Sequence, residues 1–167
     1  MKLLHSERYN SPIGELMMLA DSGRLCYLDF ADNGRRLEKL LTARYRTFSL
    51  QPGTLPGLRA RLDRYFAGQW NAFDGLGLDT GGTDFQRAVW RGLRAIRAGQ
   101  AISYRQLAAA IGRPRAIRAA GAANARNPLA LIIPCHRVIG ADGSLRGYAG
   151  GTDRQSWLLN HEGALGR

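Results

Sequence analysis

Three neighbouring residues, Cys135, His136 and Arg137, combine a nucleophile, a base and a positive charge. They follow the apolar run at residues 129–133 and Pro134, so we predict that a buried strand ends here, at the edge of the core. Proline suits the first turn of a helix, and a thiol at a helix start is expected to ionise more readily than usual. The pattern therefore favours a reactive cysteine over an ordinary buried thiol.

A nucleophilic cysteine needs a base, and that base needs a partner that orients it. His136 is adjacent to Cys135, but neighbouring side chains diverge, so their contact can be direct or can pass through a water. Either Asp153 or Glu162 could orient the histidine, and the residues alone do not choose between them. This chemistry also fits a hydrolase or an acyltransferase.

The N-terminal part of the chain carries strand patterns followed by helical ones. Residues 3–30 are predicted to form antiparallel strands around a turn at residues 21–23. Cys26 lies in one of these strands and is interpreted as a core residue. Leucines at helical spacing predict helices over residues 34–45 and 55–70.

A segment rich in Gly and Asp, residues 71–82, marks a predicted boundary between domains 1–79 and 80–167. The charge balance changes at the same place. Domain 80–167 holds 13 arginines and 4 acidic residues, so it contributes +9 of the formal net charge of +11. A polyanion such as nucleic acid is the partner that this charge favours, although a basic composition can also serve solubility.

The second domain is predicted to be mostly helical. A helix over residues 85–98, capped by Thr83 or Asp84, precedes two short helices at residues 104–111 and 115–126. Because a glycine-containing turn joins the two short helices, they are typical of a helix-turn-helix, whose second helix enters a DNA groove.

The second short helix is thin because most of its residues are alanine. Its long charged side chains are Arg115, Arg118 and Arg126. Such a helix can approach DNA closely but offers few groups that read base edges, so weak sequence preference is expected. The alternative is that its small residues only allow tight packing on a neighbouring helix.

The segment after the cysteine is predicted to form a hairpin over residues 139–147, because Asp142-Gly143 is a two-residue turn signal. A hairpin in this place would be the wing of a winged helix-turn-helix. Residues 147–151 form a glycine-rich loop around Tyr148, which suits either a lid for a flat ligand or a surface turn. Asp153 is predicted to cap the last helix.

Several motifs at consistent spacing resemble the O6-alkylguanine-DNA alkyltransferases, or methylated-DNA-protein-cysteine methyltransferases, of the bacterial constitutive type. The resemblance is close over residues 81–163 and looser in the N-terminal part, through Ser-Pro-Ile-Gly and Tyr-Phe-Ala-Gly. It implies an α/β (α+β) fold of two domains. The N-terminal domain would be a ribonuclease-H-like β-sheet with helices, and the C-terminal domain a mostly helical winged helix-turn-helix. The close motifs are Gly-Gly-Thr-Asp-Phe-Gln, Ile-Ser-Tyr-Arg-Gln-Leu-Ala, Ala-Ala-Gly-Ala-Ala-Asn, Ile-Pro-Cys-His-Arg-Val-Ile-Gly, Gly-Tyr-Ala-Gly-Gly and Trp-Leu-Leu-Asn-His-Glu-Gly.

The resemblance implies DNA repair in which Cys135 takes the methyl group from O6 of a damaged guanine, in one displacement and without regeneration. His136 is then the base, acting through water, and Glu162 is the acid that orients it. Asn127 braces the turn that carries the cysteine. Whether O4-alkylthymine is also a substrate does not follow from the sequence.

The resemblance also implies that the damaged nucleotide is flipped out of the duplex, since a stacked base is beyond the reach of a thiol. Arg118 would fill the space that it leaves, and Tyr104 would crowd a phosphate and touch the flipped base. Tyr148 would form a pocket wall, and the main chain around Val138 and Ala149 would recognise the base. Many relatives have Ser where this chain has Ala149, which changes little if the main-chain N–H does the work. The remaining DNA-contacting positions are Arg115, Ala125 and Arg126.

The expected partner is double-stranded DNA containing O6-alkylguanine, and a monomer without cofactor or metal is expected to bind it. The two cysteines lie far apart and belong to no cluster of metal-ligand spacing. No signal peptide and no apolar stretch of membrane length is recognised, so a cytoplasmic location is expected. Two alternatives are a non-enzymatic sensor of alkylated DNA, whose known relatives lack the acceptor cysteine, and a winged-helix regulator, which would need more base-reading side chains.

Overall fold

The computed structural model describes residues 1–145 and 147–164, and the chain divides into two compact units, residues 1–81 and 82–167. The first unit contains a four-stranded sheet in the order β3-β2-β1-β4, in which β1, β2 and β3 are antiparallel and β4 runs parallel to β1. Its strands and helices are β1 Lys2–Ser11, β2 Gly14–Asp21, β3 Arg24–Phe30, α1 Gly34–Tyr45, β4 Phe48–Pro52 and α2 Leu58–Phe66.

The predicted antiparallel strands are confirmed. Ser22 and Gly23 have positive φ, which gives the tight reversal between β2 and β3. Cys26 is 1% exposed in a cluster with Leu4, Leu19 and Leu41, as predicted for a core residue. The predicted helix over residues 55–70 is shorter than expected, because α2 starts only after Gly57, which adopts the left-handed conformation.

The second unit is mostly helical, with one two-stranded parallel sheet. Thr83, rather than Asp84, caps the first helix of this unit, and Ser103 caps the next one; each forms a capping box with the glutamine three residues later. The elements are α3 Asp84–Arg94, β5 Ile102–Ser103, α4 Tyr104–Ala110, α5 Ile117–Ala125, a 3₁₀ turn Cys135–Arg137, β6 Val138–Ile139 and α6 Thr152–His161.

Helices α4 and α5 form the predicted helix-turn-helix, and α5 has two different faces. Its buried face holds Ala120, Ala123 and Asn124, and the indole N–H of Trp90 on α3 donates to the Ala123 carbonyl at 2.9 Å. The small residues therefore do allow close packing. The opposite face is exposed and carries Arg118, Ala119, Ala122 and Ala125, and the exposed Arg115 and Arg126 flank the helix, which is shorter than the predicted range of 115–126.

Three local predictions are wrong. Residues 129–133 are buried, as expected, but they form turns instead of a strand, with Leu131 in the left-handed region at φ 69°. The turn at Asp142-Gly143 forms, yet β6 pairs in parallel with β5, and no second hairpin strand occurs in the described part of residues 139–147, of which Arg146 lies outside the description. Asp153 does not cap α6, because Gly151 occupies the cap position.

No helix in the described ranges is long and apolar enough to span a membrane.

Candidate active site

Cys135 is the first residue of the 3₁₀ turn that directly follows Pro134. Its main-chain N–H donates to the Ile133 carbonyl at 2.8 Å, and the residue is 7% exposed. The sequence therefore placed the cysteine correctly at the start of a helical segment, although this segment is only three residues long. A thiol in this position can meet another molecule only if a reacting group is brought into the protein.

His136, Arg137 and Glu162 form a buried network next to the cysteine. The Nε2 of His136 lies 2.9 Å from Oε2 of Glu162, and the His136 side chain is fully buried. Arg137 donates to both carboxylate oxygens of Glu162 at 2.8 Å, and to the Ile96 carbonyl at 2.6 Å. Of the two carboxylates that the sequence left open, Glu162 contacts His136, whereas Asp153 is exposed in the first turn of α6.

The electrostatics of this network fix the protonation of the histidine. Burial would raise the pKa of Glu162, but the hydrogen bonds from Arg137 and His136 outweigh it and lower that pKa to about 2. Burial lowers the pKa of His136, against the opposing effect of Glu162. At neutral pH a carboxylate therefore faces a neutral imidazole. The carboxylate can only accept, so Nε2 carries the proton and Nδ1 keeps its lone pair.

The guanidinium of Arg137 has partners other than the thiol that the sequence suggested. It was expected to act as a positive charge beside the thiol, but its guanidinium is bound to Glu162 and to Ile96. Its effect on the cysteine is therefore indirect, because it keeps Glu162 ionised and held against His136.

Asn127 supports the turn that leads to Cys135. Its Nδ2 donates to the Ile133 carbonyl at 2.7 Å, and its Oδ1 accepts from the Leu129 N–H at 2.9 Å. The residue is 1% exposed, so both bonds lie away from water. They replace the main-chain pairing that a strand over residues 129–133 would have provided.

Replacing Asn127 by alanine is expected to lower the free energy of unfolding by about 2 kcal/mol, because the buried Leu129 N–H would lose its partner and the Ile133 carbonyl would lose one of its two donors. Urea unfolding measures this difference. Asn160, an exposed asparagine on α6, gives the matched control, and Asn160→Ala should change stability by less than about 0.5 kcal/mol. Equal losses in the two variants would contradict the bracing role.

Tyr104 links the cysteine to α5 and to the glycine-rich loop. Burial and the neighbouring Cys135 both raise the pKa of Tyr104, so its phenol stays protonated at neutral pH. A Cβ added at Gly121 of α5 would lie 3.6 Å from the Tyr104 ring, and one added at Gly147 would lie 3.3 Å from its hydroxyl oxygen. The α5 helix and the loop therefore approach the same tyrosine.

Tyr148 contacts the network through the histidine ring. Its ring packs edge-on against that of His136, with centroids 6.4 Å apart and an angle of 76° between the planes. Val138 is buried directly after the 3₁₀ turn, and Ala149 is exposed in the loop. The remaining candidates are exposed and lie outside the buried network, with Arg118 and Ala125 on α5 and Arg115 and Arg126 next to its two ends.

One residue of the site, Gln155, was missed by the sequence reasoning. It is buried on α6, and its Nε2 donates to the carbonyls of His136 and Val138. A single glutamine in a helix carries no chemical signal of its own. Its spacing of seven residues from Glu162, which puts both on one helix face, was the only available hint.

Within residues 1–145 and 147–164, no group of three or more His, Cys, Asp or Glu residues could hold a metal ion.

A sheet unit followed by a helix-turn-helix unit, with a cysteine beside a carboxylate-held imidazole, defines a DNA-alkyltransferase type of architecture. The model of the family "6-O-methylguanine DNA methyltransferase, ribonuclease-like domain" matches residues 4–80, and that of "6-O-methylguanine DNA methyltransferase, DNA binding domain" matches residues 84–164. The chain belongs to the 6-O-methylguanine-DNA methyltransferase family, which confirms the resemblance and the predicted fold class.

Relatives and solved structures agree with this assignment. The methylated-DNA–protein-cysteine methyltransferase of Salmonella typhimurium is 47% identical and covers 99% of both chains. The methyltransferase of the same name from Mycobacterium tuberculosis is 42% identical, over 96% of this chain and 93% of the relative. Among solved structures, Mycobacterium tuberculosis OGT in complex with DNA has a TM-score of 0.82 at 41% identity, over 96% of this chain and 93% of that one. The enzyme from Pyrococcus kodakaraensis has a TM-score of 0.73 at 28% identity, over 96% and 99%.

Proposed function

We propose that this protein repairs alkylated DNA by moving the alkyl group from O6 of guanine onto Cys135 in a single irreversible event. The observation that carries the proposal is the buried His136 ring, held by Glu162 and placed one residue after a cysteine in the same turn. The names of the relatives and their DNA complex support the choice of substrate. A monomer in the cytoplasm, without metal or cofactor, is the proposed working form.

The proposed reaction balances without a co-reactant. His136 Nδ1 accepts the thiol proton of Cys135, directly or through one water, and the thiolate sulfur attacks the alkyl carbon. The sulfur–carbon bond forms as the carbon–O6 bond breaks, and the electron pair of that bond passes to the purine. The purine takes up one proton from solvent at N1 and is left as ordinary guanine, and His136 returns the thiol proton to solvent, so that no net proton is gained or lost. Because the new thioether has no route back to a thiol, each protein molecule reacts once.

The buried position of Cys135 supports nucleotide flipping, because O6 of a stacked guanine could not reach it. In the proposed complex the exposed face of α5 lies against the DNA, with Arg115, Ala125 and Arg126 at the surface, and Arg118 enters the space of the extruded nucleotide. Tyr104 and Tyr148 would contact the flipped base, and the main chain at Val138 and Ala149 would recognise its edge.

A methyl-transfer assay with peptide mapping tests this function. Duplex DNA carrying one labelled O6-methylguanine is incubated with the protein, once with protein in excess and once with DNA in excess, and peptides are analysed by mass spectrometry. One added methyl group on the Cys135 peptide is expected. Demethylated DNA with an unmodified Cys135 peptide would reject the acceptor, binding without any transfer would favour a lesion sensor, and more than one event per protein molecule would indicate a hydrolase.

Replacing Arg118 by alanine is expected to slow repair of duplex DNA by about tenfold, but to slow the reaction with free O6-benzylguanine much less. Only the duplex requires a side chain that holds the nucleotide out of the stack. The measurement is the rate of thioether formation on each substrate. Arg94, an exposed arginine on α3, provides the control, since Arg94→Ala removes the same charge from another helix. Similar losses on both substrates in the Arg118 variant would count against the wedge role.

A further inference from the structure

Helix α6 meets the Cys135–Arg137 turn at two points on one face. Near its start, Gln155 donates to the carbonyl oxygens of His136 at 3.0 Å and of Val138 at 3.1 Å. At its end, Glu162 lies 2.9 Å from Nε2 of His136. Seven residues separate the two side chains, which is close to two helical turns, so one rigid element sets both contacts.

The chemistry of the first contact requires the amide nitrogen of Gln155. Both partners are carbonyl oxygens, which only accept, and an amide NH₂ group offers two donors. Gln155 is 1% exposed, so water cannot readily replace these bonds. The carbonyls that it binds flank Arg137, and the side chain therefore spans the main chain on both sides of that residue.

Together these contacts hold both the main chain and the side chain of His136. The main chain of His136 is held through its carbonyl by Gln155, and its ring is held through Nε2 by Glu162. A ring with a fixed main chain and a fixed Nε2 has little freedom left, so its Nδ1 points in one direction. The charged or titratable groups around the ring are Glu162 at the end of α6, Arg137 from the turn and Tyr148 from the loop. Gln155 adds a neutral contact to the main chain of the same residue.

We propose that Gln155 is a positioning residue for alkyl transfer, which sets the direction of His136 Nδ1 relative to Cys135. This role rests on the proposed function for the reaction that it serves, while the geometry stands independently of it. Gln155 acts through the main-chain carbonyls of His136 and Val138 and not through a contact of its own with the thiol. Its removal should therefore change the reactivity of Cys135 without changing how DNA is bound.

The test is Gln155→Met, which keeps the side-chain length and removes both donors. The first-order rate of methyl transfer at saturating DNA is expected to fall by about tenfold to hundredfold, because a small displacement of the base is enough to cause such a loss. The DNA affinity should stay within about twofold of the original value. The alkylation of Cys135 by iodoacetamide, followed by peptide mapping between about pH 5 and 9, should need a higher pH in the variant.

Leu159→Ala is the matched control, because Leu159 is fully buried on the same helix and its loss removes packing without removing these hydrogen bonds. It should lose stability but keep the original iodoacetamide profile. A Gln155→Met variant with that same profile, or with transfer within about twofold of the original rate, overturns the proposal. Gln155→Glu, which has the same shape without the NH₂ group, decides the question by the same criteria if the methionine variant does not fold. Failure of the unaltered protein to demethylate DNA would reject the proposed function alone, since the iodoacetamide profiles need no DNA.

Discussion

Replacing Cys135 by alanine is expected to abolish alkyl transfer completely and to leave DNA binding intact. The sulfur is the acceptor atom in the proposed reaction, so no other group of the site can take over its role. The exposed arginines that would meet DNA lie on α5 or next to its ends, and this substitution does not touch them. The small size of the change at a buried site also predicts a stable protein, with a loss of about 1 kcal/mol.

Two measurements on the same sample check this expectation: labelled-methyl transfer and the affinity for duplex DNA. Cys26 supplies the control, since it is the other cysteine of the sequence and is buried in the sheet unit. Burial raises the pKa of Cys26 to about 11, so it is an unreactive thiol, and Cys26→Ala should transfer normally. Residual transfer in the Cys135 variant, or its loss in the Cys26 variant, would contradict the assignment of the acceptor.

The parts of the fold that were predictable are those set by neighbouring residues. Thr83 and Ser103 cap their helices through bonds that close within three residues, and the turn at Ser22-Gly23 is equally local. The apolar run at residues 129–133 shows where this reasoning fails. Hydrophobicity indicates burial, but it cannot distinguish a strand from a buried turn when a distant side chain satisfies the main chain. Here Asn127 does so, and the run folds as turns.

The sequence predicted which residues form the site better than it predicted the contacts between them. Cys135 and His136 stand out because they are adjacent and chemically distinctive. The choice between Asp153 and Glu162 depends on where α6 ends relative to the 3₁₀ turn, which is a property of the folded unit. The same holds for Arg137, whose charge serves Glu162 instead of the thiol. The sequence shows which charged residues are near the cysteine, but it does not show which of them form ion pairs with one another.

The ion pair at Glu162 predicts a protein that loses stability in acid. In the unfolded chain the glutamate has a pKa near 4.5, and in the folded protein Arg137 and His136, acting against burial, hold it at about 2. The unfolded state therefore binds the proton more tightly. The contribution of Glu162 to stability is fully present above pH 4.5 and is lost as the pH falls towards 2, by about 3 kcal/mol in total. The pKa of His136 is also depressed, which adds a loss that begins below pH 6.5.

Glu162→Gln separates this contribution from the rest of the protein. At neutral pH the variant should be less stable by about 3 kcal/mol, because Arg137 remains buried without its carboxylate. The difference from the original protein should shrink as the pH falls from 4.5 towards 2, since the original then loses its ion pair too. Urea unfolding across this range measures it, with the exposed Asp153→Asn on the same helix as control. A difference that stays constant with pH would show that Glu162 is not ionised in the folded protein, and His136 would then lack the anion that fixes its tautomer.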